Sequence, residues 1–227
     1  IARRRGIGSV AEGGAMTSCA VPGALPHFPT MPRLLLATNN PGKVREFRRL
    51  LDGIPFEVVT PADLGISLDV EENGTSYAEN ATIKARAFAK AGNCYALADD
   101  SGIEVDALGG KPGMYSARYG GPGLDDEGRT RLLVRELEGV PGEQRTARYR
   151  AVVAVSDPEG NVRTFEGVFE GRIGHEFRGE RGFGYDPVFV TADGRTAAEL
   201  TDEEKDAVSH RGQAVRAAAE YLRSLAD

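Results

Sequence analysis

Tryptophan is absent from this chain of 227 residues, cysteine occurs only at positions 19 and 94, and lysine only at 43, 84, 90, 111 and 205. Two distant cysteines exclude a disulfide framework and a cysteine-based zinc site, and Cys94, in an apolar stretch, reads as a small buried hydrophobe. Long apolar runs are missing as well. The longest, residues 34–37 and 151–155, fall far short of the ~18 residues that a membrane-spanning helix needs. Nor is there a basic excess: 28 Lys+Arg stand against 34 Asp+Glu, giving a net charge of -6. That balance argues against a protein that grips a nucleic-acid backbone. These absences point to a cytoplasmic protein that meets small molecules rather than membranes or nucleic-acid polymers. Without tryptophan, any stacking platform for a planar ligand has to be Phe, Tyr, His or Arg.

What is present reads as a globular domain, with 41% hydrophobic and 27% charged residues. The length suits one domain, which can carry two lobes. Of the 28 cationic residues, five are lysine and 23 are arginine, so each retained lysine hints at a position that wants a compact ammonium.

Residues 1–30 differ from the rest. They start with Ile1, run through Arg3-Arg4-Arg5, hold a single acid and show no periodicity. This stretch reads as a disordered or mis-assigned extension, with Met31 as the initiator and residues 31–227 as the folded domain. From there the punctuation is regular. Residues 34–38 suit a buried strand ended by Asn39-Asn40-Pro41-Gly42, and Val44, Phe47, Leu50 and Leu51 then share one helical face. Residues 56–60 read as a second strand. Ser76 and Glu79 predict a capping box opening a helix to about residue 91, and residues 95–98 predict a buried strand that ends in the turn-like Asp99-Asp100-Ser101-Gly102. A helix is expected over 125–137, a long hairpin from 148–156 and 162–173, and a short strand at 188–190. Two final helices open at Thr201 and near Ser209, the second with Val215, Ala218, Ala219, Leu222 and Leu225 on one face. Helix–strand alternation followed by antiparallel pairing predicts an α/β (mixed α+β) fold, a mixed central sheet flanked by helices.

Four segments could carry chemistry. Thr38-Asn39-Asn40-Pro41-Gly42-Lys43 is a strand–loop–helix junction that can cradle an anion or can be an ordinary turn. It is not a Walker A loop, and no serine-hydrolase elbow, papain-type cysteine site or dinucleotide glycine fingerprint occurs. Asp99-Asp100-Ser101-Gly102 offers two adjacent carboxylates to a hard cation, or is a solvated turn. Glu71-Glu72 adds a second acidic pair on an earlier loop. In Gly182-Phe183-Gly184-Tyr185-Asp186-Pro187 a ring between glycines can lie under a planar base or tuck into the core. Ser209-His210-Arg211-Gly212 offers donors to a carbonyl, or a plain helix cap.

Taken in order, these segments resemble the inosine triphosphate pyrophosphatase family. The resemblance rests on Ala37-Thr38-Asn39-Asn40-Pro41-Gly42-Lys43, Glu71-Glu72-Asn73-Gly74, Glu79-Asn80-Ala81 with Lys84-Ala85, and Ala98-Asp99-Asp100-Ser101-Gly102. It continues through Gly113-Met114-Tyr115-Ser116-Ala117-Arg118-Tyr119, the Gly182 to Pro187 segment, Ala198-Glu199-Leu200, Glu204-Lys205 and Ser209-His210-Arg211-Gly212. Asn73, where the family often has Thr, and the unmatched first 30 residues are the departures.

The resemblance implies two lobes around a cleft and hydrolysis of non-standard purine nucleoside triphosphates (ITP, dITP, XTP) to the monophosphate and pyrophosphate. It implies that Glu71 and Asp100 hold Mg²⁺ and that Asp100 activates the attacking water. By the same token Lys43, Lys84 and Lys205, with the residues from Thr38 to Gly42 and Ser101, would hold the triphosphate. Phe183 would stack on the purine beside Gly184 and Tyr185, with Asp186, His210 and Arg211 around its edge. A homodimer, with residues 116–119 as an interface loop, also follows. Two other readings stay open at this point: a pyrophosphatase for another modified nucleotide, and a nucleotide sensor that does not turn over. A septum-inhibitor type of pyrophosphatase would open with a Ser-Pro-Arg-Arg pattern, which Thr38 to Lys43 lacks.

Overall fold

A computed structural model describes residues 31–225, so the expectations for residues 1–30 lie outside the described residues. Strand β1 (Arg33–Leu36) is followed by α1 (Pro41–Leu50), β2 (Glu57–Val59), α2 (Tyr77–Gly92) and β3 (Tyr95–Val105). Then come β4 (Lys111–Gly113), α3 (Asp126–Glu136), β5 (Thr146–Ser156), β6 (Val162–Ile173), β7 (Phe189–Val190), α4 (Asp202–Val208) and α5 (His210–Ser224). The seven strands form one mixed sheet in the order β2-β1-β3-β5-β6-β7, with β4 beside β3. Strands β1, β2 and the start of β3 are parallel, and β3, β5, β6 and β7 pair antiparallel, as the change of pattern along the sequence predicts.

Side-chain alternation along the strands builds the core. Leu34, Leu36, Leu97, Val153 and Val155 face α1 and α5, where they meet Phe47, Val215, Ala218 and Leu222. The intervening Leu35, Ala37, Ala96, Ala98, Val152 and Ala154 face α2 and meet Ala81, Ala85 and Phe88. Burial on both faces is why these strands read as unbroken apolar runs. A separate core at the far end gathers Ile103, Val105, Leu133, Leu137, Tyr149, Phe169 and Phe189 under α3. Strands β3 and β5 run through all three clusters. Among the described residues no helix is long and apolar enough to cross a membrane.

The largest departure from the sequence reading is β3. Asp99, Asp100, Ser101 and Gly102 do not end the strand, which continues to Val105, paired with β5 from Ala96↔Ser156 to Val105↔Ala147. Turn-forming residue types are overridden here by pairing with a long neighbouring strand. Gly102 has a packing reason to be glycine, since a Cβ there would lie 2.1 Å from the Gly113 carbonyl oxygen. At α2, Ser76 accepts the Glu79 N–H (3.2 Å), but the Glu79 carboxylate accepts from the N–H and hydroxyl of Thr75, so the expected reciprocal box is only half formed. At α4 the box formed by Thr201 and Glu204 is complete. Leu225, expected on the buried face of α5, is exposed just past the helix end, and Cys94 is half-buried rather than fully enclosed.

Candidate active site

The period-2 alternation of β3 sends its two acids to opposite faces of the sheet. Asp99 follows Leu97 toward α1 and α5, and Asp100 follows Ala98 toward α2. Their surroundings differ accordingly. One oxygen of Asp99 accepts from Lys43 Nζ at 3.0 Å, and the other lies 3.2 Å from Arg211 Nη2 and 3.2 Å from the Ser101 hydroxyl, which donates to it. Burial alone would raise the Asp99 carboxyl, but the Lys43, Arg211 and Lys84 charges outweigh it and hold the group well below the usual carboxylate range. Asp100 has no cation within ion-pair distance among the described residues. It accepts from Asn80 Nδ2 and from the Ser101 N–H, each at 3.0 Å. Burial raises it above the ordinary value, the Lys84 charge and the Asn80 bond oppose that, and the like charge of Glu72 adds to it.

Lys84, on α2, reaches across to this strand. Its ammonium donates to the Asp99 carbonyl at 2.7 Å and pairs with Glu72 at 3.2 Å. Of the two acids on the preceding loop, Glu72 is therefore the one brought to Lys84 and Asp100, while Glu71 is exposed and makes no ion pair among the described residues.

The first loop differs from its expected role as a backbone cradle. Asn40 caps α1, its side-chain oxygen accepting from the N–H groups of Gly42 (2.8 Å) and Lys43 (3.1 Å). Pro41 at the first helical position has no N–H, Asn39 is exposed, and the Thr38 hydroxyl accepts from the Asn40 N–H. The Gly42 and Lys43 amides are thus already capped, and the positive charge of this loop is that of Lys43.

Phe183 lies directly over Gly42, where a Cβ would sit 2.7 Å from the ring. The Lys205 ammonium and the Arg211 guanidinium lie 5.3 Å and 5.6 Å from the same ring centroid, within cation–π range. Lys205 lines the same cleft as Lys43. Its ammonium is buried beside Phe183, donating to Glu46 at 2.9 Å and Asp186 at 2.6 Å, and those two carboxylates outweigh burial and raise it. Asp186 also accepts the Phe183 N–H and the Tyr149 hydroxyl, so it holds the aromatic loop in place. Tyr185 donates to the Ser116 carbonyl, and Gly184 has a positive φ of 61° that lets the loop turn back. Tyr149 stacks on His210, with centroids 4.7 Å apart and planes 8° from parallel. Burial, with Arg211 and Lys205 nearby, keeps His210 neutral, and its Nδ1 is buried without a hydrogen-bond partner.

Sequence reasoning missed three residues here. Glu46 binds both Arg211 and Lys205 from within α1, and it lies three residues after Lys43 on the side that faces the sheet. Asn80 stood inside a quoted motif without a role. Tyr149 gave no local signal, because only the pairing of β5 with its neighbours aims it into the cleft.

A cleft has Asn40, Lys43, Ser101, Phe183, His210 and Arg211 among its walls, whereas Asp99, Asp100 and Lys84 are not among the residues that line it. Its walls combine the cations Lys43, Lys205 and Arg211 with the rings of Tyr149, Phe183 and Tyr185 and the neutral His210. Fold and cleft together define an α/β protein built to take a polyanion with a planar head group. The chain belongs to the Ham1 family, whose pattern it matches over residues 34–221. It is 52% identical to the dITP/XTP pyrophosphatase of Symbiobacterium thermophilum over 196 residues, covering 85% of this chain and 96% of that one. To the dITP/XTP pyrophosphatase of Bacillus subtilis it is 47% identical over 193 residues, 85% of this chain and 98% of the relative. Among solved structures, a HAM1 protein from Coxiella burnetii superposes with a TM-score of 0.77 at 38% identity, covering 86% of this chain and all of that one.

Proposed function

We propose that the chain hydrolyses non-standard purine nucleoside triphosphates, dITP, ITP and XTP, to the monophosphate and pyrophosphate. The observation that carries this is the split of the β3 acids, one locked among cations and one raised and held by an amide, beside Lys43 and Ser101, which line the cleft where Phe183 lies over Gly42. Family membership and the activity named for the relatives support the same reading.

In this account Lys43 and Lys84 take the charge of the triphosphate, with Ser101 beside them. Asp100, raised by burial, accepts a proton from the water that attacks the α-phosphorus, and pyrophosphate leaves. Mg²⁺ fits the donors present. Asp100 is a hard oxygen ligand without a cation partner, an acid of the Glu71-Glu72 loop stands near it, and Mg²⁺ asks for only one or two carboxylates plus substrate phosphates. When bound, the ion supplies charge neutralisation and polarises the phosphoryl oxygens.

Phe183 stacks on the purine. His210 and Arg211 supply hydrogen bonds that suit the 6-carbonyl of hypoxanthine or xanthine and meet an adenine amino group donor to donor. We place the enzyme in the cytoplasm as a homodimer. The surface offered at the 116–119 loop is the half-exposed Tyr115 ring with Arg118 5.1 Å above it, whereas Ser116 is turned inward onto the Gly113 carbonyl and the Ile103 N–H.

The test gives the protein Mg²⁺ and equal concentrations of ITP, XTP, GTP, ATP and dTTP, with ³¹P NMR separating pyrophosphate from orthophosphate. Pyrophosphate from ITP and XTP with little from ATP or GTP is expected. Orthophosphate as first product, or turnover mainly of dTTP, overturns the reading.

A further inference from the structure

Helix α3 closes one side of the cleft and contributes a cation that the chemistry above does not use. Arg129 lines the cleft half-buried, and its Nη1 donates to the carbonyls of Tyr119 (2.8 Å) and Gly121 (3.0 Å). Two of its five N–H donors are thereby spent. The Nε and Nη2 hydrogens have no acceptor among the described residues, and no carboxylate lies within ion-pair distance, although Asp126 lines the same cleft one turn earlier. The other arginine of the cleft, Arg211, is held by both Glu46 and Asp99.

Its position is at the ring end, not the phosphate end. The next residue, Thr130, is buried, and its hydroxyl lies 2.8 Å from the Asp126 carbonyl of its own helix and 3.2 Å from the Gly184 carbonyl, which sets α3 against the loop carrying Phe183. Lys43 and Lys84 gather instead around Asp99. A triphosphate held by those lysines, with its base on Phe183, leaves Arg129 nearest the base.

We propose that Arg129 is a specificity-determining residue that favours xanthine over hypoxanthine, an inference that rests on the purine triphosphate reading above. The two bases differ at C2, where xanthine carries a carbonyl and hypoxanthine only hydrogen. Xanthine also gives up a ring proton near neutral pH, so it presents an acceptor and negative charge where hypoxanthine presents neither. A guanidinium with free donors and no acid partner matches the first base and gains nothing from the second.

The test compares kcat/KM for ITP and XTP, which share one sugar and one triphosphate, in wild type, Arg129→Met and Arg129→Lys. It adds binding of the monophosphates IMP and XMP by calorimetry. The expected result is a fall in the XTP-to-ITP ratio of about ten- to a hundredfold in Arg129→Met, matched in the XMP-to-IMP binding ratio and partly restored in Arg129→Lys. An equal loss on both substrates, or an unchanged ratio, overturns the proposal and leaves Arg129 as a brace for the 119–121 backbone. If wild type turns over neither substrate, it is the underlying purine triphosphate reading that fails.

Discussion

Asp99 and Asp100 are neighbours on one strand, yet the fold treats them in opposite ways. The face toward α1 and α5 surrounds Asp99 with Lys43 and Arg211, and the ionised form is held there under all ordinary conditions. The face toward α2 gives Asp100 an amide, a backbone N–H and the repulsion of Glu72, so its charge is tolerated rather than compensated. One acid ties the first loop to α5, and the other is the group to which the proposed mechanism gives the proton of the attacking water. Pairs of carboxylates whose surroundings push them apart divide in this way between holding and reacting.

The sharpest way to break the comparison is to neutralise each acid in turn. Asp100→Asn is expected to lower kcat by at least ~10², with nucleotide binding within a few-fold of wild type. Near-normal turnover in steady-state assays would remove Asp100 from the chemistry. Asp99→Asn leaves Lys43 and Arg211 without their shared buried partner and is expected to destabilise the fold by about 3–5 kcal/mol in denaturant unfolding. The stability effects should have opposite signs. A carboxyl raised by burial costs stability where it is ionised, so Asp100→Asn should unfold at or above the wild-type midpoint at neutral pH.

Acidification sharpens this further. The depressed Asp99 contributes stability that is present above its unfolded value and lost only as pH falls through its low folded value. The penalty at Asp100 is relieved as pH falls through its raised folded value. The gap between wild type and Asp100→Asn should therefore close first on acidification, and the gap to Asp99→Asn should persist into strong acid. Unfolding curves at stepped pH values read both.

Smaller effects concern the first loop. Lys43→Ala should raise KM for the triphosphate while kcat changes less, and an unchanged KM would deny the loop a hold on phosphate. Gly42→Ala places a methyl group 2.7 Å from the Phe183 ring, which must shift, and a several-fold rise in KM for ITP is expected.

Much of this was legible in the sequence, and the failures have a common cause. Helix starts at Ser76, Thr201 and Ser209 were readable because capping is a local hydrogen-bond problem. The α/β fold and the motif order were readable for the same local reason. The path of β3 through Asp99 to Gly102 was not, because a ten-residue partner on β5 overrides the turn preference of those residues. Glu46 and Tyr149 escaped notice since their roles exist only after α1, α5 and β5 meet. The pairing of Lys205 with both Glu46 and Asp186 was not legible either, because it exists only once α1, α4 and the aromatic loop meet.

The most direct measurement is a carboxyl titration of Asp99 and Asp100 by carbon-detected NMR on protein labelled at aspartate, with Asp99→Asn and Asp100→Asn spectra assigning the two signals. The account predicts that Asp100 titrates above the ordinary aspartate range while Asp99 stays ionised into strong acid. Two ordinary titrations, or the reverse order, would contradict the division of roles between the two faces of β3.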